Sequence, residues 1–115
     1  MRTTKGVLEH HHHARSSANL EEIGKDYNDN SKLISAGNGM QSGKKAILKF
    51  FEGMLPIVKE GSFKIKSLTI EDKAALLVWD FDSPTASVKD GVDTFFIEDD
   101  FIRYQTAVFN LVRKS

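Results

Sequence analysis

Residues 91–111 read GVDTFFIEDDFIRYQTAVFNL, two apolar runs joined by Asp99 and Asp100. A short acidic loop between β-rich runs is hairpin spacing, so this segment commits the chain to a pair of antiparallel strands. A two-residue loop sets Glu98 opposite Phe101, and residues directly opposite share a face of the sheet. Unbroken pairing then places Asp93, Phe95, Ile97, Ile102, Tyr104, Thr106 and Val108 on one side. The other side takes Thr94, Phe96, Glu98, Arg103, Gln105, Ala107 and Phe109. The first side is apolar but for one carboxylate. An acid among such neighbours needs a hydrogen-bonding partner or acquires a raised pKa, which makes Asp93 the first candidate site residue.

The chain before the hairpin supplies what could pack on it. Residues 4–17 have the spacing of a helix whose apolar side follows Leu8, and the same side carries His11, His12 and Arg15. Polar groups at those positions suggest a lined cavity. Asn19 is a natural N-cap for a short helix over 20–27. Residues 32–36 fit a strand with Leu33 and Ser35 on one face, followed by a Gly37-Asn38-Gly39 turn. Ser42 would cap a third helix over 44–59, with Ile47, Phe50, Phe51, Met54, Leu55 and Val58 on its apolar side and Pro56 kinking or ending it.

Residues 63–70 alternate as a strand whose phase shifts near Ser67, the mark of a bulge. Residues 74–81 are apolar on both faces, so that strand is central or covered. Residues 85–88 fit a short edge strand, Lys89-Asp90-Gly91 a turn, and 113–115 a solvated tail. Residues 1–5 are expected to be flexible.

Helices followed by strands give an α+β fold. The expectation is one domain over 1–115: a cone-like, curved antiparallel sheet packed on about three N-terminal helices and enclosing a pocket. The outer face with Phe96, Ala107 and Phe109 is too apolar to stand alone, so a homodimer through that face is expected.

Sixteen basic and sixteen acidic residues cancel, which leaves no net field to attract nucleic acid. Without cysteine there are no disulfides or thiolate metal sites. No apolar run approaches the ~20 residues of a membrane span, and the first residues lack a signal-peptide core, so a cytoplasmic location is expected. His10 to His13 are consecutive. Neighbouring helical side chains point about 100° apart, so the run does not form a metal site, and His10 and His13 read as surface residues. No metal or cofactor is expected.

Three stretches, SSANLEEIGKDYNDNSKLIS (16–35), SGKKAILKFFEGML (42–55) and GVDTFFIEDDFIRYQT (91–106), carry a further reading. Their order and spacing resemble the nuclear transport factor 2-like superfamily, in its SnoaL-like and ketosteroid-isomerase-like branch. The resemblance implies helices packed into a strongly bent sheet with a pocket at the open end. It places Asp93 where the isomerases hold a carboxylic acid, and His11 where they hold a tyrosine. Their general base falls at Ser35, whose hydroxyl cannot abstract a proton unaided. His12 and Arg15 stand where relatives are usually apolar.

Asp93 and His11 are the candidate acid–base pair, His being the side chain that titrates near neutrality. His12, Arg15, Tyr27, Ser35, Phe51, Trp79 and Tyr104 are candidate ligand contacts. Two functions follow. One is a dimeric, non-catalytic module binding a small hydrophobic or carbonyl-bearing ligand, favoured because Ser35 replaces the base. The alternative is an isomerase, cyclase or hydratase working through Asp93 and His11, favoured by the polar groups on the first helix.

Overall fold

The computed structural model describes residues 2–115. Three helices, α1 (Thr4–Ser16), α2 (Leu20–Gly24) and α3 (Lys44–Val58), pack on one side of a curved, unclosed sheet. Thr3 caps α1 through its hydroxyl, which accepts from the Gly6 amide, and Asn19 caps α2 by accepting from the Glu22 amide. Each cap satisfies a first-turn N–H that has no partner within its helix. The second helix is shorter than its spacing suggests. Gly24 ends it, and turns carry the chain to Tyr27.

The strands are β1 (Lys32–Ser35), β2 (Gly39–Ser42), β3 (Ser62–Glu71), β4 (Ala74–Asp82), β5 (Ala86–Glu98), β6 (Phe101–Val108) and β7 (Leu111–Arg113). Their order is β2-β1-β6-β5-β4-β3, with β7 paired to the start of β5. The sheet is mixed, not purely antiparallel: β1 runs parallel to β6, with Lys32 opposite Tyr104 and Ser35 opposite Ala107. A parallel pair needs a long crossover, and here most of the chain lies between the two strands.

Three register shifts bend the sheet around the helices: between Ile65 and Ser67, between Trp79 and Phe81, and between Phe96 and Ile97. The first is the bulge expected near Ser67. The third changes the hairpin. Glu98 pairs with Phe101 and Ile97 with Ile102, but Phe96 then faces Tyr104 and Asp93 faces Ala107. Arg103 is the extra residue, and one inserted residue swaps every later side chain on β6 to the other face. Gln105 and Ala107 therefore turn inward, while Tyr104 and Val108 turn out.

Turn-forming residues are used differently from their sequence reading at other places. Lys89, Asp90 and Gly91 do not reverse the chain. Asp90 takes a left-handed φ of 56° inside β5, and its amide donates to the Asp80 carboxylate at 2.9 Å. Residues 85–88 are accordingly the start of a long strand and not a separate edge. Ser42 pairs with Lys32 in the β1–β2 hairpin, and Gly43, at φ 88°, is the N-cap of α3 without a side-chain cap. The tail forms β7 up to Arg113. Pro56 lies in the last turn of α3, which ends two residues later at Val58, so the one donor it removes falls where the helix stops.

Thr4 and Lys5 are helical, and Arg2 donates to Asp26 Oδ1 at 2.7 Å and, through its amide, to Asp100 Oδ1 at 2.8 Å. Met1 lies outside the described residues. Asp26 is fully buried and also accepts from His10 Nδ1 at 2.8 Å, so His10 is a partner of this acid and not a free surface residue. This cluster ties the start of α1 to the tip of the last hairpin.

Val7, Leu8, Ile23, Ile47 and Phe51 from the helices meet Leu77, Trp79, Phe95, Ile97 and Ile102 from the sheet in one core. Each such fully buried side chain contributes about 1.5–3 kcal/mol. No helix among the described residues is long and apolar enough to cross a membrane.

Candidate functional site

Inside this core sits a small polar cluster, drawn from four elements. The inward face of β5 presents Asp93, which is 2 % exposed. On β4, Trp79 Nε1 donates to Asp93 Oδ1 at 3.2 Å. On β6, Gln105 Nε2 donates to Asp93 Oδ2 at 3.0 Å, and Gln105 Oε1 accepts from the Tyr27 hydroxyl. From α1, Arg15 Nη1 stands 3.7 Å from Asp93 Oδ2, too far for a good hydrogen bond. The order Tyr27, Gln105, Asp93, Trp79 is a continuous chain of hydrogen bonds closed at the acid.

Burial raises the Asp93 pKa above its ordinary value, against the opposing pull of Arg15 and of the Trp79 and Gln105 hydrogen bonds. Burial likewise lowers Arg15, countered by Asp93, and pushes the Tyr27 phenol well up, helped by the Asp93 charge. All three shifts favour the less charged form. The guanidinium carbon of Arg15 lies 4.2 Å over the Phe63 ring and 5.2 Å from that of Trp79, a cation–π arrangement that compensates part of its lost hydration. Its Nε and Nη2 are buried and make no hydrogen bond among the described residues.

This cluster borders an inner pocket of about 40 Å³, whose wall includes Arg15, Asp93, Gln105, Trp79, Phe51 and Phe109. Phe50, Met54, Val58, Phe63, Trp79 and Phe109 are shared with a larger outer chamber of about 300 Å³. The outer chamber is apolar apart from Asn38. An apolar hollow with a few convergent polar groups at one end is the general form of a small-molecule site.

The sequence-derived candidates divide. Asp93, Arg15, Trp79 and Phe51 meet at the inner pocket, and Tyr27 joins through Gln105. His11 does not join. It is fully buried with ring centroids 5.5 Å from Phe95, 5.9 Å from Tyr27 and 6.1 Å from Phe51, and neither ring nitrogen has a hydrogen-bond partner among the described residues. Burial and the Arg15 charge hold its pKa well below the ordinary histidine value. With His12 it borders a separate cavity of about 20 Å³, and His12 is lowered by the same two causes. Asp93 and His11 thus form no hydrogen-bonded couple.

Ser35 is buried and accepts from Asn38 Nδ2 at 3.4 Å, but is absent from the walls of both the inner pocket and the outer chamber. Tyr104, placed inward by unbroken pairing, is 46 % exposed on the outer face, because Arg103 is bulged. Gln105 is the residue of this polar cluster that sequence reading missed. Its signal was indirect: a buried carboxylate needs donors, and Gln105 is the one amide side chain on β6. Among the described residues no three histidine, aspartate or glutamate side chains are grouped to hold a metal.

Comparison with known proteins places this arrangement among related folds. The model of the SnoaL-like domain matches residues 8–105. No curated protein sequence matches the chain. An NTF2-like protein of unknown function from Cytophaga hutchinsonii superposes with a TM-score of 0.79 at 16% identity, over 96% of this chain and 92% of that one. The epoxide hydrolase/cyclase-like enzyme SalBIII, of pyran ring formation in the polyether salinomycin, superposes with a TM-score of 0.80 at 13% identity, over 93% and 90%. An LEH-like epoxide hydrolase of M. tuberculosis gives 0.71 at 15% identity, over 90% and 80%. At these identities the likeness establishes the fold and nothing finer.

Proposed function

The chain belongs to the SnoaL-like domain family, and on that premise we propose that it is a non-catalytic binding module for a small hydrophobic molecule carrying an oxygen function. The observation that supports this is the position of the polar cluster, at the inner end of an otherwise apolar hollow. The outer chamber receives the apolar body of the ligand, and the Arg15, Asp93 and Gln105 cluster receives its oxygen. His11, without a bond to Asp93, and Ser35, without a basic group, argue for binding over turnover.

A second reading has one observation in its favour. The raised pKa of Asp93 suits a carboxyl that keeps its proton and lends it to a ligand oxygen, as an isomerase, cyclase or hydratase would require. His11 would then enter only through a change in its ring position. Solved relatives of this fold include enzymes, which keeps this reading open. In either case a homodimer through the outer sheet face is part of the proposal, resting on the exposed Leu76, Phe96, Tyr104 and Val108.

Trp79 is the single tryptophan of the chain and borders both spaces, so its emission reports directly on occupancy. Titration with ketones, alcohols and acids of about eight carbons, sized to a chamber of this kind, is expected to give a saturable change in Trp79 emission. Val58→Phe, which fills the shared wall, should abolish it. No saturable change with any of the three classes would refute the binding reading.

A further inference from the structure

Arg15 is the group in this site whose needs are unmet. Its side chain is 7% exposed, its face is covered by Phe63, and its Nη1 falls short of bonding distance to Asp93. Asp93 itself is satisfied, since Trp79 and Gln105 each donate to one of its oxygens. The two buried guanidinium nitrogens without acceptors among the described residues are Nε and Nη2. Those two N–H groups are the side-on fork of the guanidinium, which matches the paired oxygens of a carboxylate. A stack on an aromatic ring satisfies the face of the cation but leaves the edge bare.

We propose that the ligand of this pocket is an apolar monocarboxylate, with its head on the Nε and Nη2 fork of Arg15 and its chain in the outer chamber against Phe50, Met54 and Phe109. The inference rests on the pocket reading above and names its ligand class. A neutral ketone or alcohol brings one oxygen and no charge, leaving half the fork and the whole cation uncompensated. A phosphate or sulfate ester brings further anionic oxygens that this apolar wall cannot bond, and the inner pocket of about 40 Å³ admits a single small head. The carboxyl of Asp93, which burial biases toward its neutral form, does not oppose a second carboxylate beside the same cation.

The test is a Trp79 emission titration at neutral pH with octanoate, 2-octanone and 1-octanol, on the wild type and on Arg15→Met. Octanoate is expected to bind the wild type at least about tenfold more tightly than either neutral probe. Arg15→Met should weaken octanoate by about tenfold to a hundredfold, the usual range for losing hydrogen bonds to a charged group, and weaken 2-octanone, which brings one uncharged oxygen, by a smaller factor. Should Arg15→Met fail to fold, Arg15→Lys keeps the charge without the fork and is expected to weaken octanoate in the same direction. If the neutral probes bind as well as octanoate or better, or octanoate is indifferent to both substitutions, the carboxylate assignment falls while the pocket reading stands. If none of the three probes binds, both fall together.

Discussion

His11 is an imidazole enclosed by Tyr27, Phe51 and Phe95, held neutral by burial and by the neighbouring cation of Arg15. In the unfolded chain it titrates near 6.5. The folded state therefore binds fewer protons than the unfolded one below that pH, and stability falls as pH drops, by up to about 1.4 kcal/mol per pH unit. His11→Leu is expected to remove this dependence, so that urea denaturation at pH 7 and pH 5 differs less in the variant than in the wild type. Equal pH dependence in the two proteins would contradict the neutral, buried assignment. Asp93 has the opposite sign. Its raised pKa means a stabilising contribution present below the ordinary aspartate value and lost as pH rises through the folded one. A carboxyl carbon NMR titration should place Asp93 above the reference ~3.9. Arg15→Met should move it higher still, because the cation now opposes the rise; a value at or below the reference would remove Asp93 from any proton-holding role.

At the level of strands, the site depends on β5 passing close beneath Trp79. A Cβ on Gly91 would lie 2.5 Å from Trp79 Cε2, closer than atoms pack, so glycine is required there by contact. Gly91→Ala is expected to cost about 1–3 kcal/mol by overpacking and to displace the indole from Asp93, seen together as a lower urea midpoint and an altered Trp79 emission. Unchanged stability and emission would show that the strand can move away freely. The same elements show what could be read from the residues alone. The inward acid, the apolar side of α3, the Asn19 cap and the bulge near Ser67 all follow from periodicity and local chemistry, and all are present, whereas Gly43 takes the capping place expected of Ser42. Gln105 and Tyr104 were exchanged because one bulged residue, Arg103, carries no compositional mark, and period-2 reasoning propagates a single slip to the end of the strand. Lys89-Asp90-Gly91 has the residues of a turn, and they serve a kink within β5, since left-handed φ is needed in both settings. The partners of Asp26 were invisible for another reason: Arg2 and His10 are remote from it in sequence, and only tertiary contact brings them together.

For the molecule as a whole, the face of the sheet away from the helices carries Ile34, Met40, Leu76, Phe96, Tyr104, Val108 and Val112, all exposed. The expected interface of Phe96, Ala107 and Phe109 is thus revised in membership: Ala107 and Phe109 turn toward the pocket side, and Tyr104 and Val108 replace them. Sedimentation velocity should show a dimer, and Phe96→Glu or Val108→Glu should give a soluble monomer; a monomeric wild type would end the proposal. Neither substitution touches the pocket, so a monomer should retain ligand binding. The pairing of β1 with β6 also has a consequence for how the protein is made. Since Lys32 waits for Tyr104, a nascent chain on the ribosome cannot lay down that ladder until nearly all of these residues have been synthesised. The early helices must remain without their sheet through most of translation, and contacts so distant along the chain set a slow pace of folding. A polypeptide stalled before Phe101 would expose its apolar helix faces to whatever chaperone is at hand.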